Sequence, residues 1–155
     1  MYITKWAKRE ELGFMADYWY QMASEMAEID GVPKPDTERH KRVKALFEKE
    51  WEAGKLMFRV VVDQDNQIVA CAGGLLRTEY AFPLAEEQTP FGWVIAVYTE
   101  KQHRNKGLAA KLVDEVCVWL KEKGAHRARL WSSTKAREVY EKLGFSNMLD
   151  MSKSL

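Results

Sequence analysis

Residues 94–124 read VIAVYTEKQHRNKGLAAKLVDEVCVWLKEKG, a β-branched apolar run followed by a polar turn and a long amphipathic segment. This order predicts a strand, a short turn and a helix. Backbone amides in the first turn of a helix have no intrahelical partner and lie at the positive end of the helix dipole, so they suit a phosphate. Gly107 and Ala109 leave room for an anion, and Arg104 and Lys106 add positive charge beside it. The turn therefore has the features of a pyrophosphate-binding loop, with an ordinary strand-to-helix turn as the alternative.

A second motif follows this helix. A short strand is predicted over residues 128–132, and SSTKAREVYEKLGF follows over residues 132–145. Here the chain resembles the GNAT superfamily of N-acetyltransferases. RNKGLA, residues 104–109, matches the family's pyrophosphate motif Arg/Gln-x-x-Gly-x-Gly/Ala. AREVYEKLGF, residues 136–145, matches its Ala-x-x-x-Tyr-x-x-x-Gly-Phe segment, and the two motifs occur in the family's order and spacing.

The resemblance implies the activity and the co-substrate. A family member would transfer an acetyl group from acetyl-CoA to a primary amine of a small molecule, such as a polyamine, an amino acid analogue or an antibiotic, with no metal. Transfer would be direct, within a ternary complex, because neither cysteine lies in a nucleophile setting and no G-x-S-x-G is present. The alternatives are a protein lysine or N-terminal acetyltransferase and a non-catalytic coenzyme A-binding regulatory module.

The resemblance also assigns residues to the coenzyme. The backbone of the fourth strand would pair with the pantetheine arm at Val97, Tyr98 and Thr99. The pyrophosphate would lie on the segment Arg104, Asn105, Lys106, Gly107, Leu108, Ala109 and Ala110. Ser133 stands where many members carry an asparagine that binds pantetheine, and serine keeps a donor and an acceptor with a shorter reach.

Tyr140 is the predicted general acid, since it stands where the family places the tyrosine that protonates the departing thiolate. A phenol with a pKa of about 10 is protonated at neutral pH. The alternative is a helix-surface tyrosine with its hydroxyl in water. The backbone amide near Val97 would polarise the thioester oxygen.

The general base cannot be read from the sequence. The predicted fourth strand, FGWVIAVY over residues 91–98, contains no carboxylate. The candidates are Glu28 and Asp30, expected in the loop after the first helix, Glu79 at the end of the third strand, and a water chain that ends at a backbone carbonyl or at one of these acids. His103 precedes the phosphate turn and is expected to be a surface or coenzyme-contacting residue.

The segments that build the acceptor pocket in this family are rich here in aromatic, methionine and acidic residues. An aromatic and acidic lining would suit a cationic amine. The apolar set comprises Tyr18, Trp19, Tyr20, Met22, Met26, Tyr80, Phe82 and Trp93, and the acidic set comprises Glu25, Glu28, Asp30, Glu79, Glu86 and Glu87. Because Trp19, Met22 and Met26 fall on one helical stripe, they are equally expected in the core. Residues off that stripe, such as Tyr18, Glu25 and Tyr80, are the stronger pocket candidates.

The remaining pattern predicts the order of elements. Strands are expected over residues 2–6, 57–62, 68–76 and 91–98, helices over 9–27 and from 36 or 37 to about 53, a loop over 81–90 and a final strand over 146–155. This order of elements matches the GNAT fold, which belongs to the α/β class in its mixed α+β form. That fold has a central mixed, mostly antiparallel sheet of about six to seven strands, a splay between strands 4 and 5, and about four flanking helices. Residues 1–155 are expected to form a single domain.

Composition sets the expected partners and location. The net charge of +1 and the pI of about 7.7 give no basic surface for nucleic acid. No apolar run reaches membrane-spanning length and no signal-peptide core is present, so a soluble cytoplasmic protein is expected. Cys71 and Cys117 are expected to be buried free thiols in a reducing compartment. A homodimer would form if the apolar C-terminal strand pairs at a sheet edge.

Overall fold

The structure is a computed structural model that describes residues 1–80 and 86–155. In these ranges the strands are β1 (Ile3–Trp6), β2 (Leu56–Val62), β3 (Ile68–Tyr80), β4 (Gln88–Thr99) and β5 (Ala128–Arg129), and the helices are α1 (Leu12–Asp30), α2 (Thr37–Glu52), α3 (Leu108–Glu122) and α4 (Arg137–Lys142). The strands form one sheet in the order β1-β2-β3-β4-β5. Strands β1 to β4 are antiparallel to one another, and β5 is parallel to β4. The predicted mixed, mostly antiparallel sheet is confirmed.

Helices cover both faces of this sheet. On one face, α1 and α2 pack through buried residues that include Leu12, Met15 and Phe47. On the other face, α3 packs through Leu112 and Leu120 among others. Gly92 on β4 permits this second contact, because a Cβ atom there would lie 2.4 Å from Leu120.

Helix α1 is longer than predicted. It was expected to end at residue 27, with Glu28 and Asp30 in a loop, but both lie in its last turn. Glu28 and Asp30 do not interrupt a helix, whereas Gly31 adopts a left-handed conformation (φ 68°) and donates its N–H to Ala27 O at 3.1 Å. Helix α2 begins as expected, because the Asp36 side chain accepts the N–H of Arg39 at 2.7 Å.

The predicted final strand is wrong. Residues 146–155 form no strand, and the side chains of Leu149 and Met151 are exposed. A further strand needs a neighbour with free backbone groups, but β5 has only two residues and pairs with β4 at Gly92 and Trp93. The described part of the sheet therefore has five strands instead of about six to seven.

The connection between the third and fourth strands also differs from the prediction. It was expected to be a loop over residues 81–90, but β4 already begins at Gln88, which pairs with Tyr80. The candidate pocket residue Phe82 lies outside the described residues. Within them, no helix is long and apolar enough to cross a membrane. Both cysteines are free thiols, Cys71 fully buried and Cys117 half-buried.

Candidate active site

A bulge in β4 marks the centre of the site. Cys71 pairs with Tyr98 and Gly73 with Ile95, so Ala72 faces two residues of β4, Ala96 and Val97. Ala96 has a φ of 50°, a left-handed conformation that residues with a Cβ atom adopt only where the fold enforces it. The extra residue breaks the alternation of side chains between the two faces of the sheet. Ile95 and Ala96 both pack on the α1 side, and Val97 packs on the α3 side.

Beyond the bulge, one edge of β4 is open. β5 pairs with β4 only at Gly92 and Trp93, so residues 94–99 have no neighbouring strand on that side within the described chain. This is the predicted splay between strands 4 and 5. An open edge presents backbone N–H and C=O groups that an extended ligand can use as an added strand.

The turn between β4 and α3 forms a nest of free amides. Asn105 (φ 62°) and Gly107 (φ 73°) adopt left-handed conformations, and α3 begins at Leu108. The first amide of this helix to find a partner is that of Lys111, which donates to Gly107 O at 3.1 Å. The amides of residues 105–110 have no acceptor among the described residues, and the space where a Gly107 Cβ would stand is open. Such a nest at a helix N-terminus binds anions.

The cations around this nest are already engaged. The Nε of Arg104 donates to Thr99 O at 2.8 Å, and its Nη2 lies 2.9 Å from Glu25 Oε1. Lys106 Nζ donates to Tyr2 Oη at 3.0 Å, and the same hydroxyl lies 2.8 Å from His103 Nδ1. Arg104 therefore points to α1, and an anion would depend chiefly on the backbone amides.

A cavity of about 640 Å³ extends from this edge of the sheet under α1 and α2. One wall is β4 from Trp93 to Val97, including the bulge. The opposite wall comes from residues 130–140, with Trp131, Ser133 and Tyr140. The open strand edge, the bulge and the predicted general acid thus face one continuous space.

Tyr140 is placed in this cavity with its phenol largely removed from water. Burial raises the pKa of Tyr140 to about 12, because the charged phenolate is poorly solvated there. Its ring packs edge-on against Phe145, with centroids 5.9 Å apart. Ser133 lies nearby, and its Oγ accepts the N–H of Ala136 at 3.2 Å, which leaves the hydroxyl proton for another acceptor.

Most of the predicted acceptor residues lie outside the cavity. Tyr18 is 3% exposed, and its hydroxyl hydrogen-bonds Ile68 O and Glu100 Oε1 at 2.7 Å each. Burial is the main reason that the pKa of Tyr18 is raised. Glu25 pairs with Arg104. Both residues project from α1 on a side that does not line the cavity.

The other predicted acids behave similarly. Asp30 accepts the N–H of Thr134 at 3.1 Å and also its hydroxyl, and these bonds lower the pKa of Asp30. Glu79 pairs with Arg129 at 2.6 Å. Neither these nor the exposed residues Glu28 and Tyr80 line the cavity, whereas Trp93 does.

The apolar stripe of α1 faces the cavity instead. Trp19, Met22 and Met26 line it, while the first half of the same stripe, including Met15, is fully buried in the core. One periodic pattern therefore serves two purposes, since its N-terminal half packs against the sheet and its C-terminal half borders open space.

Helix α2 supplies the residues that the sequence analysis missed. Arg39, Val43, Leu46 and Glu50 line the cavity from one face of this helix, at a spacing that helical periodicity could have revealed. Glu50 accepts hydrogen bonds from Arg77 on β3, at 3.1 and 3.3 Å. Glu50 is the sole carboxylate lining the cavity within residues 1–80 and 86–155. It lies far from the bulge, because Arg77 is opposite Phe91 near the start of β4.

Comparison with known proteins relates this chain to a family. The family model described as Acetyltransferase (GNAT) family matches residues 18–145. A predicted acetyltransferase with acetyl-CoA from Clostridium acetobutylicum has a TM-score of 0.85 and 20% identity, covering 100% of this chain and 96% of that chain. A GCN5-related N-acetyltransferase from Ralstonia eutropha JMP134 has a TM-score of 0.83 and 16% identity, covering 100% and 99%.

A third solved structure has a more specific description. Glucosamine-6-phosphate N-acetyltransferase from Arabidopsis thaliana has a TM-score of 0.70 and 19% identity, covering 99% of this chain and 98% of that chain. No curated protein gives a match. At these identities the solved structures establish the shared fold.

Proposed function

The chain belongs to the GNAT family of acetyltransferases, and we propose that it transfers the acetyl group of acetyl-CoA to a primary amine of a small molecule by direct attack in a ternary complex. The observation that carries this proposal is the continuous cavity. The open edge of β4 and the phenol of Tyr140 border one part of this cavity, and the cavity continues under α1 and α2.

The shape and polarity of the site fit coenzyme A. The nest at residues 105–110 offers free amides to a pyrophosphate, and the open space beside Gly107 lets that anion approach the backbone. The unpaired edge over residues 94–99 would bind the amide-containing pantetheine arm, with Ser133 on the opposite side. The solved structure from Clostridium acetobutylicum, which contains acetyl-CoA, has the same fold.

The bulge and Tyr140 would perform the transfer. The backbone amide near Val97 would polarise the thioester carbonyl and stabilise the oxygen as the amine attacks. A carbon–nitrogen bond forms, the carbon–sulfur bond breaks, and Tyr140 donates its proton to the departing sulfur. Because burial raises the pKa of Tyr140 to about 12, the phenol is protonated at neutral pH and available to donate as the carbon–sulfur bond breaks. The resulting phenolate then regains a proton from solvent.

The amine must lose its own proton by another route. Glu28, Asp30 and Glu79 lie outside the cavity, and residues 81–85, AFPLA, contain no acid. Glu50, which lines the cavity, sits far from the bulge and pairs with Arg77. We therefore favour a water chain that ends at a backbone carbonyl over a carboxylate base.

Thiol release from acetyl-CoA tests this function. The purified protein is incubated with acetyl-CoA and one amine at a time, and release is compared with a blank that lacks the amine. The panel contains polyamines, amino acids, aminoglycosides and lysine peptides. Release with one class of small amine supports the proposal. Release with lysine peptides alone would identify a protein acetyltransferase, and release no faster than the blank throughout would favour a coenzyme A-binding module.

A further inference from the structure

We propose that the acceptor amine carries an acidic group on a large apolar body, and that Arg39 pairs with that acidic group. This inference rests on the proposed function and narrows it to a substrate class. It replaces the cationic acceptor that the aromatic and acidic composition of the sequence favours.

The charges that line the cavity carry the argument. Within the described residues they are those of Arg39, Glu50 and Arg77. Glu50 and Arg77 hydrogen-bond each other, so their charges cancel. No carboxylate in this part of the chain lies within 4.0 Å of the Arg39 guanidinium. Arg39 is exposed to solvent where it lines the cavity, and among the described residues it is the one charged side chain of the lining without a counter-ion.

None of the six acids of the predicted acidic set lines the cavity, and Glu28, Glu86 and Glu87 are exposed outside it. Glu25 is held by Arg104, Asp30 by Thr134 and Glu79 by Arg129, and none of them lines the cavity. A polycation in the cavity would thus meet Arg39 with no unpaired carboxylate of the described lining to offset the repulsion. An anionic group would gain a charge-assisted hydrogen bond to the guanidinium.

The rest of the lining is apolar and aromatic. Trp19, Trp93 and Trp131 border the cavity, and Trp131 is 84% exposed. Leu46, on the same helix as Arg39, also lines the cavity and is 50% exposed. A ligand with a large apolar body would cover these surfaces, whereas a sugar would leave its hydroxyl groups against them.

Matched pairs of amines test the acidic group separately from the apolar body. The first pair is L-phenylalanine and L-phenylalaninamide, and the second is 4-(aminomethyl)benzoate and its amide. The two pairs place the acid at different distances from the amine. Two other amines serve as comparisons: glucosamine 6-phosphate, which is anionic with a polar body, and spermidine, which is cationic. In thiol release, we expect kcat/KM for at least one acid to exceed that of its amide by about tenfold or more, and to exceed that of both other amines.

Two variants assign the preference to Arg39. Arg39→Gln should reduce the acid-to-amide ratio to about one. Arg42→Gln removes the same charge from the same helix, at a position that is exposed like Arg39 but lies outside the cavity lining, and should keep the ratio. Arg39→Glu should reverse the preference, so that the amide has a higher kcat/KM than its acid.

A binding measurement makes the inference independent of turnover. Three of the tryptophans line the cavity, so ligand binding in the presence of coenzyme A should change the intrinsic fluorescence. We expect the acid to bind more tightly than its amide in the wild type and in Arg42→Gln, but not in Arg39→Gln.

The outcomes separate the two proposals. If no amine of any class releases thiol, the proposed function fails, and the fluorescence titration alone decides the preference for an acid. If amines are acetylated but each amide equals its acid, or spermidine is best, the function stands and this inference is wrong. Equal loss of preference in Arg39→Gln and Arg42→Gln would also overturn the pairing with Arg39.

Discussion

The Nη2 of Arg104 lies 2.9 and 3.0 Å from the two carboxylate oxygens of Glu25, and this ion pair joins the RNKGLA motif to helix α1. The same guanidinium donates to Thr99 O and lies over the ring of Tyr98, 5.3 Å from its centroid. Arg104 thus fixes the end of β4, the turn that follows it and the face of α1 opposite the cavity. Because the Arg104 guanidinium is already paired with Glu25, the backbone amides of the turn would be the main ligands for an anion.

Arg104 and Glu25 should behave as one unit. Each of Arg104→Gln and Glu25→Gln should lower the free energy of unfolding by about 1 kcal/mol, because the pair is only partly exposed, at 28% and 27%. The double variant should cost less than the sum of the two, as measured by urea unfolding. Both single variants should weaken acetyl-CoA binding to a similar degree. A much larger loss of acetyl-CoA affinity in Arg104→Gln than in Glu25→Gln would show instead that Arg104 contacts the phosphates directly.

Gly107 should be required for coenzyme binding beyond its role in the fold. Gly107→Ala puts a Cβ into the open space beside the nest and strains a φ of 73°. Gly54→Ala imposes the same strain at a φ of 74°, also in open space, at the end of α2. Both variants should lose about 1 kcal/mol of stability, but Gly107→Ala alone should weaken acetyl-CoA binding by about tenfold or more.

Acetylpantetheine, which has no pyrophosphate, provides the control for this comparison. The kcat/KM for this truncated donor should be the same in Gly107→Ala and Gly54→Ala. Equal acetyl-CoA affinities in the two variants would argue against a phosphate site at the nest.

Tyr140→Phe should abolish most of the turnover and leave acetyl-CoA binding unchanged. The phenol is the proposed proton donor, and removing a general acid typically costs about 10²- to 10⁴-fold in rate. Binding of acetyl-CoA can be followed by calorimetry and kcat by thiol release. Tyr20→Phe is the matched control, because Tyr20 lies on α1 outside the cavity lining. Full activity in Tyr140→Phe would rule out the assigned role.

The raised pKa of Tyr140 also predicts an effect on stability at high pH. The folded value is about 12 and the reference value about 10, so the unfolded chain loses this proton first as the pH rises. The stabilisation from the neutral phenol is complete below about pH 10 and is lost between about pH 10 and pH 12.

The difference in free energy of unfolding between the wild type and Tyr140→Phe should therefore be constant from pH 7 to 9, both well below the reference value. Above that range the wild type should lose stability faster, by up to about 1.4 kcal/mol per pH unit. Chemical unfolding at each pH measures the difference. Parallel curves across the whole range would show that burial does not perturb the phenol.

Local sequence signals predicted the secondary structure of residues 94–124 well. A strand, a turn with Asn105 and Gly107, and an amphipathic helix are encoded by neighbouring residues, and the structure has them in that order. Tyr140 and Ser133 line one cavity with residues 93–97 of β4. The positive φ angles at Asn105 and Gly107 are properties that residue type alone indicates.

The acceptor side depends on tertiary packing, which periodicity does not encode. The sequence pattern of the stripe through Trp19 and Met26 is the same whether the stripe faces a filled core or a cavity, so periodicity alone does not separate pocket residues from core residues. The position of α2 against the sheet brings Arg39 into the cavity, and no local pattern specifies that position. The predicted final strand failed for a similar reason, because pairing needs an edge that two-residue β5 does not provide.

The most direct test of the central claim is the stoichiometry of transfer. Acetyl-CoA and the best amine of the panel are incubated with the wild-type protein, and free thiol and acetylated amine are measured in the same samples by a thiol reagent and mass spectrometry. Acetyl transfer predicts one acetylated amine per thiol released, with both products growing in proportion to the protein. Thiol release without an acetylated amine, or no release above the amine-free blank, would contradict the assignment of this chain as an amine acetyltransferase.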